Sequence, residues 1–175
     1  MIQYPTSPVA IYHIGTGEIV STGGIQFLDE FKEQQVSAAV APWGAADHAL
    51  IEAEAMTNSH YVITLDGSPI LADRPPIPYR IDKAAVVVGT EDFATISGLH
   101  DPCEVVIDDP DPLVETMTVT VTGGSFEFSA ETVGIYTIQI KKFPFLDLSL
   151  EIAVVNPQAD VTAGFSTDFS YEFGI

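Results

Sequence analysis

Apolar and polar positions alternate with period two over several short runs, and turn residues separate the runs. Met117-Val119-Val121 and Tyr136-Ile138-Ile140 each read as one face of a strand, with Thr118-Thr120-Thr122 and Thr137-Gln139-Lys141 on the other. Beyond residue 80 this pattern predicts seven strands, at Ala84–Val88, Phe93–Ser97, Glu104–Ile107, Thr116–Val121, Ser125–Ser129, Tyr136–Lys141 and Leu148–Val155. Gly89, Gly98, Asp109-Pro110-Asp111, Gly123-Gly124, Gly134 and Pro144 supply the turns between them. Seven short strands so spaced predict a β-sandwich of immunoglobulin-like type over residues 81–160.

The first 80 residues read differently. Residues 1–10, with two prolines, read as an extended arm. Ile11-Tyr12-His13-Ile14 and Ile19-Val20 are short strands joined by the turn Gly15-Thr16-Gly17-Glu18, and Thr22-Gly23-Gly24 breaks the second. Gln26 to Val40 is the credible helix, its stripe running Phe27, Leu28, Phe31, Gln35, Val36, Ala39, Val40. Pro42 ends it and Trp43-Gly44 turns; Leu50-Ile51 is a strand or a helical turn. Asp66-Gly67 between the apolar runs His60–Leu65 and Pro69–Leu71 predicts a hairpin. Arg74-Pro75-Pro76-Ile77-Pro78 then stops both helix and central strand, because each proline fixes φ and lacks a donor. The expected fold class is mainly β, a small α+β N-terminal module over 1–80 followed by the sandwich. In residues 161–175, Phe165, Phe169, Tyr171 and Phe173 lie on one side of a run with small or acidic residues between them. That run reads as a last edge strand, or as an aromatic strand docking on a neighbouring subunit by strand addition.

Charge narrows the class of partner. Six Lys+Arg stand against 25 Asp+Glu, a net −19 beside a positive mean hydropathy of +0.25. Nucleic acid is excluded as a partner, since phosphate contacts need cations. Residues 1–80 carry 9 acids and 3 bases, whereas residues 81–175 carry 16 and 3, so the second half is the more acidic surface. One cysteine, Cys103, excludes an intrachain disulfide and any multi-cysteine metal site. The first residues have neither a basic nor an apolar region of a signal peptide. No stretch approaches the roughly 18 apolar residues of a membrane-spanning helix, and no membrane insertion is expected.

The order Thr16-Gly17-Glu18-Ile19, helix, Ile51-Glu52-Ala53, His60-Tyr61-Val62-Ile63, Asp66-Gly67, Arg74-Pro75 with Pro78 resembles a module of tailed-bacteriophage tail-fibre and baseplate proteins. There a "tGrI" hairpin and a short helix precede "veG…YVvdG.v..RP..P". The resemblance covers about residues 11–80 and departs from the pattern in three places. Glu18 stands where a basic residue is common, Ala53 where glycine is common, and Thr64-Leu65 lengthens the strand before Asp66-Gly67. It carries no catalytic residues and no cofactor. It implies a structural protein of the virion, made in the host cytoplasm, with other virion proteins and further copies of itself as partners. A head decoration or head–tail adaptor protein is the alternative within that class.

The remaining candidate chemistry is sparse. His13, His48, His60 and His100 lack metal-ligand spacing and read as surface or interface residues. Asp108-Asp109-Pro110-Asp111 is the densest acidic cluster, a solvated turn or a weak Ca²⁺ loop without the EF-hand pattern. No Gly-x-Ser-x-Gly is present, and a hydrolase would need a concave pocket with convergent polar groups. Cys103 reads as a buried inert thiol. Trp43 is an interface anchor or a core cap. Phe143 and Phe145, in Phe143-Pro144-Phe145-Leu146, form a contact patch or the floor of the sandwich. A host-surface or carbohydrate-binding module is the rival reading, with Trp43, Tyr61, Tyr79 or Tyr136 as a sugar platform.

Overall fold

The computed structural model describes residues 5–157. The fold is mainly β, with one short helix. The chain divides into two compact units. The first comprises the chain to Pro76 together with Phe143–Leu146; the second runs from Ile77 to Lys142 and resumes at Asp147. The division falls inside the proline run, and a four-residue piece from far along the chain joins the first unit.

In the first unit β1 (Ser7–His13) is the middle of a three-stranded antiparallel sheet between β2 (Ile19–Ile25) and β3 (His48–Ile51). Two expectations are corrected here. The extended arm is β-strand from Ser7 onward, and β2 runs through Thr22-Gly23-Gly24 rather than breaking there. Pro8 lies opposite Gly24, beyond the reach of β3, whose pairing begins at Ala10, so its missing donor costs no ladder bond. A Cβ on Gly24 would come within 2.6 Å of the Thr6 methyl, so the glycine permits a close approach.

The helix is also shorter than its apolar stripe predicted. A 3-10 turn at Asp29–Phe31 leads into α1 (Lys32–Val40), and Gln26–Leu28 is not helical. Gln35 explains the lead-in. Its side-chain oxygen accepts from the Leu28 N–H at 2.9 Å, and its side-chain amide donates to the Gln26 carbonyl at 3.0 Å. Backbone groups that a longer helix would have used internally are thereby satisfied.

β4 (His60–Leu65) and β5 (Ser68–Asp73) form the expected hairpin, with Asp66 and Gly67 at φ 51° and 79°. Positive φ at both central residues is the turn whose twist matches the strands. A two-stranded ribbon alone is marginal in water. Here Val62 joins Ala10, Tyr12 and Ile19 in a buried cluster, flanked by Ala49, Ile51, Ala55 and Leu71.

The second unit contains all seven strands read from the turn signals, each within two residues of its expected limits. They are preceded by β6 (Arg80–Ile81). The order is β7 (Ala85–Val87), β8 (Ala94–Ser97), β9 (Cys103–Asp108), β10 (Met117–Val121), β11 (Ser125–Phe128), β12 (Gly134–Lys141) and β13 (Leu148–Val155). One sheet has the order β10-β9-β12-β13-β7 and the other β11-β8-β6. All pairings are antiparallel except β13 with β7. Val105, Ile138, Ile140, Ile152 and Val154 from the larger sheet and Ala94, Ile96 and Phe128 from the smaller are buried. The Phe128 and Tyr136 rings meet between the sheets at 5.3 Å.

Tyr136-Ile138-Ile140 is a buried face as expected. Met117-Val119-Val121 is not: only Val121 is buried, and β10 is exposed elsewhere. Met117 and Val119 share a face with the buried Val121, but among the described residues they remain exposed on β10, at one end of the five-strand order.

Asp92 ties β7 to the loop before β8. It accepts from the Val87 N–H at 2.9 Å and from the Lys83 ammonium, and the Lys83 bond first, then the Val87 bond, hold its carboxyl below the usual aspartate value. A depressed native pKa stabilises the fold above the unfolded-state value of about 3.9, and that stabilisation is lost as pH falls through the lower native value. Asp92→Asn is therefore expected to lower the urea midpoint at pH 7. The gap from the unaltered protein should close progressively below pH 4, as urea titrations at a series of pH values would record.

Candidate functional site

The pieces of the N-terminal motif, scattered along the sequence, meet in the first unit. His13 Nδ1 accepts from the Gly15 and Thr16 N–H groups at 3.1 and 3.2 Å and shapes the turn before Gly17. Gly17 has φ 79°, donates to the His13 carbonyl at 2.7 Å and accepts from the Val62 N–H at 2.8 Å. A Cβ there would lie 1.9 Å from the Val62 carbonyl oxygen, so the position requires glycine. The Thr16–Ile19 turn thus seats directly on the His60–Ile63 strand.

Arg74 forms the second junction. Its backbone N–H donates to Ser59 O at 2.8 Å. Its guanidinium donates to Pro144 O at 3.1 Å, to Asn58 O at 3.3 Å and to Phe145 O, and lies 5.7 Å from the Phe143 ring centre. Phe143 meets Tyr61 edge-on at 5.9 Å, and the Leu146 N–H donates to Pro75 O at 2.8 Å. A fan of donors from one planar cation onto backbone carbonyls is a role for which lysine is a poor substitute. Phe143 and Phe145 are therefore half-buried parts of the first unit, not the floor of the second. Sequence reasoning singled out both ends of this contact without pairing them.

Trp43 is 44 % exposed in the turn after α1, and Leu28 and Phe31, before α1, are exposed as well. An open groove of about 550 Å³ along α1 is lined by Asp29, Lys32, Glu33, Val36 and Ser37. Lys32 sits 5.0 Å from the Phe27 ring and pairs with Glu52 at 2.5 Å. Phe165, Phe169, Tyr171 and Phe173 lie outside the described residues.

The other candidates hold local structural roles. His13 faces His48 edge-on at 5.1 Å from the paired strands β1 and β3. His60 accepts from the Met56 N–H at 3.1 Å and faces Asp73 across the hairpin at 3.3 Å. Asp109 and Asp111 each accept from a backbone N–H two residues on, and Asp108 accepts from the Thr116 hydroxyl and the Gln139 amide. Among the described residues no group of three His, Cys, Asp or Glu side chains could hold a metal ion. Cys103 is buried, and burial first of all pushes its thiol up from its ordinary value. Tyr136 is 4 % exposed, so it cannot serve a sugar platform; its hydroxyl donates to Thr132 O at 3.1 Å, and burial followed by Asp109 raises its pKa.

No known family model matches this chain, nor does any curated protein. Among solved structures, a member of glycosyl hydrolase family 2 from Bacteroides cellulosilyticus is similar over 86 % of this chain and 22 % of that one, at 12 % identity and TM-score 0.30. A likeness that distant carries no argument about activity.

Proposed function

We propose that this chain is a non-enzymatic structural component of a tailed-phage virion, at the tail tip, baseplate or a tail fibre. The observation that carries the reading is the convergence of the module's pieces. Thr16–Ile19, His60–Ile63, Asp66-Gly67 and Arg74-Pro75 resemble that module in sequence, and they form one unit whose joints are Gly17 on Val62 and Arg74 on its carbonyls. The exposed apolar residues around α1, with Trp43 among them, are the surface by which this unit attaches to other virion proteins, large aromatic side chains being effective interface anchors.

The second unit is an immunoglobulin-like appendage that presents acidic surface outward. Its support is the parallel pairing of β13 with β7 and the hydroxyl of Tyr136, near the start of β12, bonded back to Thr132 O. Assembly proceeds by apolar burial and strand pairing, without turnover.

The test is to raise antibodies against the second unit and label purified particles for electron microscopy. Label at the distal tail is the expected result. Label on the capsid would move the protein to the decoration or adaptor role, and its absence from particles by mass spectrometry would overturn the reading.

A further inference from the structure

The last strand of a sheet turns alternate N–H and C=O groups outward, where they template further pairing, and proteins blunt such edges by shortness or charge. In the second unit β6 ends its sheet with Arg80, β11 carries Glu127, and β7 has three residues. β10 uses neither means. Its five residues, Met117-Thr118-Val119-Thr120-Val121, hold no charge, and among the described residues it pairs with β9 alone. The stretch from Thr116 to Thr122 is free of acids in a chain that has 25. Met117 is 54 % and Val119 37 % exposed, on the face where Val121 is buried.

We propose that β10 pairs antiparallel with β10 of a second copy, about a two-fold axis through Val119. The sequence of the strand singles out that occupant. A two-fold interface sets one surface against itself, so a strand that serves it must match its own reversed copy. With Val119 opposite Val119, Met117 falls opposite Val121 and Thr118 opposite Thr120. Directly opposed residues point to the same face, so each apolar side chain meets an apolar one and each threonine a threonine. A slip of one residue sets threonine against valine and places hydroxyls among methyls. Charge agrees with the register. Glu115, the nearest acid before the strand, falls opposite Gly123 rather than another carboxylate. Like charges directly opposed are what would oppose pairing between two acidic chains.

Joined in this way, the two five-stranded sheets become continuous, and Met117 and Val119 of each copy lie beside those of the other. One strand per copy makes an interface below the standard size, so the dimer is a weak, concentration-dependent one. This inference does not rest on the virion reading, and its failure leaves that reading standing.

Sedimentation velocity on the full chain at rising concentration, in low and high salt, tests it. The expected result is a monomer–dimer equilibrium that tightens with salt, because screening removes the long-range repulsion between two acidic copies. Val119→Lys sets two ammonium groups against each other on the axis and should weaken the dimer about 100-fold or more, while the β9 and β12 amides keep their protection from hydrogen exchange. A mixture of isotope-labelled and unlabelled chains of the unaltered protein should give intermolecular nuclear Overhauser contacts between Met117 and Val121 and between the two Val119 side chains. A chain that stays monomeric at every concentration would overturn the proposal. A dimer whose intermolecular contacts lie on another surface, or one that Val119→Lys leaves as tight as before, would overturn it equally.

Discussion

Gly17→Ala is expected to destabilise the first unit by about 2–5 kcal/mol. A left-handed backbone costs an L-residue about 1–2 kcal/mol. The new methyl, placed 1.9 Å from the Val62 carbonyl oxygen, cannot be accommodated without displacing β4, and overpacking of that kind costs a further 1–3 kcal/mol. Displacement also lengthens the 2.8 Å bond from the Val62 N–H to Gly17 O and lifts Val62 from its cluster with Ala10, Tyr12 and Ile19. Total stabilities of single domains are about 5–15 kcal/mol, so the loss is a large part of the whole. Trp43 is the chain's one tryptophan and lies in the first unit, so its emission during urea unfolding reports on that unit. The midpoint should fall markedly for Gly17→Ala and much less for Gly23→Ala, where a Cβ would have nothing within 4 Å.

Arg74→Ala is expected to cost about 2–4 kcal/mol and to free residues 143–146. Hydrogen bonds to a charged group contribute about 1.5–3 kcal/mol each, and three that share one cation are not additive. The substitution deprives the Pro144, Phe145 and Asn58 carbonyls of their guanidinium donors and removes the cation beside Phe143. Arg74→Lys should recover less than half, because a point charge cannot reach all three carbonyls at once. Trypsin provides the readout, since Lys142 immediately precedes the segment. Cleavage after Lys142 should accelerate about tenfold or more in Arg74→Ala, in step with the population of the opened form.

Most of the strands were legible because glycine and Asp-Gly mark their ends. Gly89, Gly98, Gly123 and Gly124 all have positive φ, as does the Asp66-Gly67 pair, so these turns are fixed by chemistry local to the sequence. The same residue types misled where their role was tertiary. Gly23 and Gly24 look like a break, but both are paired in β2, opposite Val9 and Pro8, and Gly24 admits the Thr6 methyl where a Cβ would not. Phe27, Leu28 and Phe31 continue a helical stripe, yet Gln35 holds Gln26–Leu28 out of the helix, a contact across seven to nine residues that periodicity does not register. The alternation of Met117 and Val119 gives the face they share with the buried Val121, but among the described residues they remain exposed on β10, at one end of the five-strand order.

The candidate site divides in the same way. Arg74 and Phe143-Pro144-Phe145-Leu146 each stand out in the sequence for their residue types. Their pairing spans about 70 residues, and no local signal encodes it. Residue type does not tell which of Trp43, Tyr61, Tyr79 and Tyr136 is exposed: Trp43 and Tyr79 are, whereas Tyr136 is buried, packed against Phe128 and bonded to Thr132 O.

The excursion of Phe143–Leu146 into the first unit bears on how such a protein can evolve. Chains built of modules can diversify by exchange at the junctions between them, and the Arg74–Pro78 run, within which the two units divide, is such a junction. A swap there, however, leaves the incoming N-terminal unit without the four residues its arginine grips, and gives the retained second unit an apolar turn with no seat. The two halves are consequently expected to be inherited as a matched pair, with changes at position 74 accompanied by changes at 143–146.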